Sequence, residues 1–358
     1  MGKRIIGLDV ARALAVFGMI IVNFKIVLGE NGNPFLRELA QVLDGKAAAT
    51  FVVLAGVGLA MMSGSALNIN DPERLKRIRL RIFRRAVFLF GIGLTYIAIW
   101  PADILHFYGI YMLFTLLLLN SKRRTILLSA LVLAIIYPVL MVFFEYESNW
   151  NFTTLEYQNF WSPDGFLKNL FYNGFHPVIP WTSFMLVGLW FGRKNIRDMK
   201  FIKKAVLISL SVFIGTKLIS SLLINLLAGG DPGLKTELTE IMGTGPMPPL
   251  PIYMVSGSSL AIFVISGCIL LAHKYERNKI IDALYKTGQM ALTFYVAHVI
   301  IGMGLVESIE PQKMGQYSIE FSFLYALLFS LLCILTAVLW RKYKTTGPLE
   351  WAMRKLTG

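Results

Sequence analysis

The stretch SKRRTILLSALVLAIIYPVLMVFFEYE, residues 121–147, places a basic turn, twenty uncharged residues and an acidic flank in succession. A hydrocarbon core about 30 Å thick is crossed by roughly twenty helical residues. The backbone of such a run must pair its own N–H and C=O groups, which a helix does. The run from Thr125 to Phe144 therefore predicts one helix across a bilayer. Lys122, Arg123 and Arg124 mark its cytoplasmic end, and Glu145 and Glu147 mark its outer end.

The same pattern extends in both directions along the chain. Further apolar runs begin near Val10, Ala47, Ala86, Ile104, Pro177, Ala205, Ile252, Gln289 and Phe321. The third and fourth are separated only by Trp100-Pro101-Ala102-Asp103, where Pro101 breaks the helix. The connections Arg74–Arg85, Arg193–Lys204 and His273–Lys286 are basic loops, as is the tail Arg341–Lys355. The loops Glu145–Asp164, Asp231–Glu240 and Glu307–Glu310 carry the acids. This alternation predicts an all-α polytopic transmembrane helix bundle of about ten spans, with both termini cytoplasmic. No long polar stretch interrupts it, so residues 1–358 are expected to form a single domain.

Composition agrees with this expectation. Hydrophobic residues make up 56% and charged residues 16%, against about 25% charged in a soluble domain. The net charge of +14 would suit nucleic acid, but the Lys and Arg residues lie between spans, so the charge records topology instead. Cys268 and Cys333 each sit inside an apolar run and offer neither metal spacing nor a disulfide framework. Lys3 and Arg4 precede the first run, but Asp9 and Arg12 interrupt it and no small-residue cleavage site follows, which predicts a retained span. Ile6 stands where a myristoylation signal at Gly2 requires Ser or Thr.

Ionisable groups at membrane depth are costly, so each is a functional candidate. Asp9 and Arg12 lie three apart on the first run and are positioned to pair. Arg12 and Asn23 share roughly one helix face about three turns apart, while Lys25 is expected to snorkel outward. Asp44 and Lys46 stand at the entry of the second run. Asp103 and His106 are again three apart, and a carboxylate one turn from an imidazole fixes its tautomer and raises its basicity, as in a general base. His176 opens the sixth run and His298 lies within the ninth, each a candidate base or a hydrogen-bonded packing residue. His273, in a basic loop, is expected to be solvated. Residues 145–176 are rich in aromatics, the composition of an interfacial belt or a cavity cap. Gly243–Pro251 suits only an irregular loop, and Gly188 with Gly192 makes a face for close helix packing. Walker A, Gly-x-Ser-x-Gly, HExxH and dinucleotide motifs are absent.

The segment Leu8-Asp9-Val10-Ala11-Arg12-Ala13-Leu14-Ala15, continuing to Met19-Ile20-Ile21-Val22-Asn23, resembles the opening of the YeiB family of bacterial membrane proteins. Asp103-Ile104-Leu105 with Tyr108-Gly109 is similar too. Gly288-Gln289-Met290-Ala291-Leu292-Thr293-Phe294-Tyr295 resembles that family's G-R-M-A-L-T-x-Y segment, with Gln289 in place of Arg. The ending Gly347-Pro348-Leu349-Glu350-Trp351, with Arg354, is similar to its C-terminal signature, and Pro177–Arg193 resembles a span of the heparan-alpha-glucosaminide N-acetyltransferase group.

This resemblance implies a ten-helix acyltransferase in a bacterial cytoplasmic membrane. Its donor would be acetyl-CoA or another acyl-CoA, its acceptor a hydroxyl or amine on a sugar, glycolipid or small metabolite at the outer side. Membrane lipids are expected partners, a homodimer is left open, and neither a metal nor nucleic acid is expected. Enzymes of the related acyltransferase-three family carry a catalytic histidine eleven residues after a first-span arginine. Here that position after Arg12 is Asn23, and the heparan enzyme also has an asparagine there. The heparan enzyme's histidine lies in the following outer loop, but Phe24–Gly45 contains none. The base then falls to His106, His176 or His298. Arg12, Asp9, Lys46 and Arg193 are the donor-binding candidates, with Asn23 or Lys46 facing the oxyanion. The alternatives are a transporter or flippase for a lipid-linked or sugar substrate, and a non-catalytic membrane partner.

Overall fold

The computed structural model describes residues 4–69, 71–151, 154 and 156–358; Gly2 and Lys3, considered above, lie outside them. The chain is helical nearly throughout. In order the helices are α1 (Ile6–Leu28), α2 (Pro34–Gln41), α3 (Lys46–Asn68), α4 (Pro72–Tyr96), α5 (Leu105–Leu117) and α6 (Arg123–Phe143). A two-stranded hairpin, β1 (Trp150–Asn151) and β2 (Glu156–Tyr157), and α7 (Pro163–Lys168) follow. Then come α8 (Val178–Gly192), α9 (Met199–Ala228), α10 (Pro232–Met242), α11 (Pro251–Lys274) and α12 (Lys279–Gly288). The last are α13 (Ala291–Ala297), α14 (Gly304–Ile309), α15 (Ile319–Tyr343) and α16 (Pro348–Thr357). Two π-helical turns, Asn169–Asn173 and His298–Met303, lie before α8 and between α13 and α14.

Seven helical stretches among the described residues are long and apolar enough to cross a membrane. The helices Leu105–Leu117 and Val178–Gly192 are apolar but shorter. The protein is thus an all-α polytopic membrane protein, and every apolar run in the sequence contains a helix.

The connections differ from expectation. Arg74–Arg85 forms the first half of α4 rather than a loop, Asp231–Glu240 lies largely in α10, and α12 and α16 occupy two other polar segments. Hydropathy does not reveal such helices, but their caps do. Asn33-Pro34, Asp71-Pro72, Ser162-Pro163 and Asp231-Pro232 each set a side-chain oxygen on the free N–H groups of the first turn, with proline at the first helical position. Gly243–Leu250 is irregular, as its glycines and prolines predict.

The chain divides into two compact units. The first comprises Met1–Phe51, Arg197–Val206 and Phe263–Leu356. Within it α1 packs on α12 and α15. Gly288 touches the backbone carbonyl of Asp9 so closely that a β-carbon would not fit. Glu350 of α16 caps α13 from outside. Its carboxylate accepts from the Leu292 and Thr293 N–H groups at 2.7 and 3.1 Å and from the Thr293 hydroxyl at 2.6 Å. The N-cap residue Met290 has no side chain able to do this.

The second unit comprises Val52–Ile196, Leu207–Ile262 and Thr357–Gly358. Here α4 packs along α5 and α6 along α8. Gly188 and Gly192 meet Val53, Gly56, Val57 and Ala60 of α3, the close approach expected of small residues. The aromatic segment before α8 is organised by the buried Asn173. Its amide nitrogen donates to the carbonyls of Tyr146 and Ser148 at 2.9 and 2.8 Å. Its amide oxygen accepts the Tyr157 hydroxyl at 2.8 Å, and its backbone carbonyl accepts Trp150 Nε1 at 2.6 Å.

Candidate functional site

In the second unit, α5 runs for 13 residues, about 20 Å at 1.5 Å per residue. That falls short of a bilayer core, and non-helical backbone is tolerated at such depth only where protein surrounds it. In the segment preceding α5, Trp100, Asp103 and Ile104 are buried, while Pro101 at the turn is exposed.

Asp103 uses this position twice. Its Oδ2 accepts the backbone N–H of His106 at 3.1 Å, as a capping side chain does. The same oxygen lies 3.0 Å from His106 Nδ1. An ionised carboxylate can only accept, so the imidazole proton sits on Nδ1 and Nε2 carries the lone pair. Tyr96, the last residue of α4, donates its hydroxyl to Asp103 Oδ1 at 2.5 Å. His106 is 1% exposed, and its Nε2 meets no hydrogen-bond partner among the described residues.

Aromatic rings extend this centre. Phe107 contacts the His106 ring at 3.9 Å between centroids and the His176 ring edge-on at 6.1 Å. His176 in turn meets Trp181 edge-on at 4.6 Å. The Tyr111 hydroxyl donates to the His176 carbonyl. His176 Nδ1 and Trp181 Nε1 are buried without hydrogen-bond partners among the described residues. A base of fixed tautomer thus lies among aromatic rings and two further unpaired polar atoms, a group able to take a proton from a substrate hydroxyl or amine that reaches it.

Asp103, His106 and His176, singled out in sequence, are brought together here. Tyr96, Gly93, Tyr111 and Trp181 complete the centre and were not singled out individually. The only signal for Tyr96 is its place seven residues before Asp103, across the Pro101 turn. Arg193 follows the last residue of α8 and donates to the carbonyls of Leu119 and Ser121, tying it to the turn between α5 and α6. Burial, with Arg123 nearby, draws its guanidinium below the ordinary value.

The first unit holds the other candidates. Arg12 Nη1 lies 2.5 Å from Asp9 Oδ1, and Arg4 Nε lies 2.7 Å from Asp9 Oδ2. The Asp9 hydrogen bond holds Arg4 above its ordinary value, and the Asp9 charge adds to the effect. Asn23 Nδ2 lies 2.9 Å from His298 Nε2, and His298 Nδ1 meets the Tyr295 carbonyl. Lys25 does not snorkel outward. It is buried, with Nζ 2.9 and 2.7 Å from the two oxygens of Asp44 and 3.6 Å from Glu30. A charge with a carboxylate partner at hand is cheaper to bury than one left alone. Lys46 is buried at the start of α3, and its carbonyl accepts the Thr50 hydroxyl at 2.8 Å. Among the described residues no three His, Cys, Asp or Glu side chains gather to hold a metal ion.

Fold and site together define a polytopic, all-helical membrane protein with a carboxylate–imidazole pair buried among its helices. Residues 4–229 match the family described as heparan-alpha-glucosaminide N-acetyltransferase, catalytic, and the chain belongs to that family. Residues 190–358 match a second description, protein of unknown function (DUF418), the YeiB-like group whose motifs the sequence resembles. The uncharacterized protein YxaH of Bacillus subtilis (strain 168) is 22% identical, over 99% of this chain and 94% of the relative.

Proposed function

We propose that this protein is a membrane-embedded acyltransferase. It takes an acyl group, an acetyl group first among them, from an acyl-CoA on the cytoplasmic side and passes it to a hydroxyl or amine acceptor on the outer side. The observation that carries this reading is His106 Nε2, buried with no hydrogen-bond partner among the described residues while Asp103 and Tyr96 hold the ring from its other side. The family match supports the transfer of an acetyl group. His106 Nε2 removes the acceptor proton as the acceptor oxygen or nitrogen attacks the thioester carbonyl. The carbon–sulfur bond then breaks, and the proton passes to the leaving thiolate. Basic residues toward the cytoplasmic ends, Arg12 and Arg193 among them, draw the donor's phosphates. The ten apolar runs and their alternating flanks support ten crossings of a bacterial cytoplasmic membrane with both termini inside.

The test is thermal stability and turnover of the purified protein. A ligand that binds only the folded state raises the melting temperature. Coenzyme A and acetyl-CoA are expected to do so, Arg12→Ala to weaken the shift, and acetyl-CoA to release free thiol when an acceptor is present. Absence of any shift at saturating CoA, together with substrate counterflow in liposomes independent of CoA, would establish a transporter in its place.

A further inference from the structure

Asn23 and His298 are 275 residues apart and form a hydrogen bond between α1 and the turn that begins at His298. We propose that His298 is a positioning residue for the Asn23 carboxamide rather than a proton carrier, and that Asn23 is the group offered to a ligand.

The protons follow from the partners. The Tyr295 carbonyl beside His298 Nδ1 can only accept, so Nδ1 carries the hydrogen. In the neutral ring Nε2 is then an acceptor and requires a donor. The Asn23 amide nitrogen stands 2.9 Å away and supplies it. The two ends of an amide are nearly alike in shape, so a hydrogen-bond partner decides which way it faces. Here the imidazole turns the nitrogen toward itself and the carbonyl oxygen away.

The surrounding packing keeps this arrangement in place. Phe24, next to Asn23, stacks on Tyr325 at 5.0 Å and meets Phe329 edge-on at 5.7 Å. It also rests on Gly302, where a β-carbon would come 2.6 Å from the Phe24 ring. The backbone from His298 to Met303 makes a π-helical turn, a local widening frequent at functional sites. Val22 and Phe24 are buried, whereas Asn23 is only partly so. Among the described residues its Oδ1 accepts no hydrogen bond, and one of its two N–H groups remains uncommitted. Asn23 therefore holds a carbonyl acceptor and an N–H donor in one fixed plane for a ligand.

Only the activity arm of the test rests on the acyltransferase reading. The chain has four histidines, so nitrogen-15 labelling of histidine gives a spectrum simple enough to assign with single variants. The expected result is a protonated Nδ1 and an unprotonated Nε2 for the neutral ring of His298. Asn23→Leu is expected to move the Nε2 resonance. In transfer assays His298→Gln, whose side-chain carbonyl can accept from Asn23, should retain activity. His298→Phe should approach the loss of about 10²–10⁴-fold seen when a general base is removed. A proton on Nε2 of the neutral ring, or equal losses for Gln and Phe at an unchanged melting temperature, would overturn the proposal. If the wild-type protein transfers no acyl group, the acyltransferase reading fails, while the nitrogen resonances still decide the role of His298.

Discussion

A β-carbon on Gly93 would stand 2.6 Å from Asp103 Oδ2 and would press on the backbone nitrogen of His106 as well. Helix α4 thus passes the carboxylate–imidazole pair at a distance that only glycine allows. Gly93→Ala is expected to push the two helices apart, and overpacking of this kind costs about 1–3 kcal/mol. The melting temperature should fall and acyl transfer should fall with it. A variant matching the wild type in both would show that the pair tolerates displacement.

His106→Ala should lower transfer by about 10²–10⁴-fold, the contribution of a general base, with CoA binding retained by the folded protein. The melting temperature should fall too, because the buried Asp103 loses the imidazole donor. Asp103→Asn should reduce the rate less, since it weakens the orientation and basicity of the ring without removing it. Tyr96→Phe leaves a buried carboxylate oxygen short of one donor, a cost of about 1–3 kcal/mol, and should fall between wild type and Asp103→Asn in rate. Activity that survives in His106→Ala but disappears in His176→Ala would move the base along the aromatic row.

The buried Lys25 and its partner Asp44 should behave as a unit. Lys25 is buried while Asp44 is a quarter exposed, so losing one partner strands the other less completely than in a fully buried pair, where the cost is about 3–5 kcal/mol. Lys25→Met is therefore expected to lower the melting temperature, and combining it with Asp44→Leu should restore part of the loss. Additive losses in the double variant would show that the two charges act independently.

Glu350 ties the chain's last helix to the start of α13. Hydrogen bonds to a charged group contribute about 1.5–3 kcal/mol, so Glu350→Ala should loosen α16. Limited proteolysis is expected to cut near residues 344–347 in this variant before any other site, and to spare the wild type. Cleavage at equal rates would show that other contacts hold α16.

Single cysteines can test the direction of insertion. Substituted at Asn151 and Thr236, they are expected to react with an impermeant reagent added outside intact cells. Those at Asn195 and Asn278 should react only after the membrane is opened. The reverse at either pair would invert the proposed topology.

The apolar helices were legible because each is local: an apolar run carries its own hydropathy. The pairing of Asp103 with His106 was legible for the same reason, since a carboxylate just before a helix reaches the first turn three residues on. What escaped was non-local or masked by polarity. Asn23 and His298 were each recognisable as polar residues in apolar runs, but nothing in either segment announces the other. Lys25 was misjudged because its partner Asp44 lies beyond α2, a short polar helix without the hydropathy of a span. Tyr96 passed as one more aromatic at a helix end, although its hydroxyl completes the carboxylate's hydrogen bonding.

Asn173 joins four points of the segment leading into α8 through a single side chain and its own carbonyl. On the proposed topology this segment faces the compartment from which the acceptor arrives. Tyr146, Ser148, Trp150 and Tyr157 are already held by Asn173 when the protein folds, so an acceptor that meets them has none of these four left to order. Acceptor capture should then lack a slow rearrangement, with an association rate that rises in proportion to acceptor concentration and shows no plateau. Asn173→Ala would return the ordering step to binding and introduce that plateau.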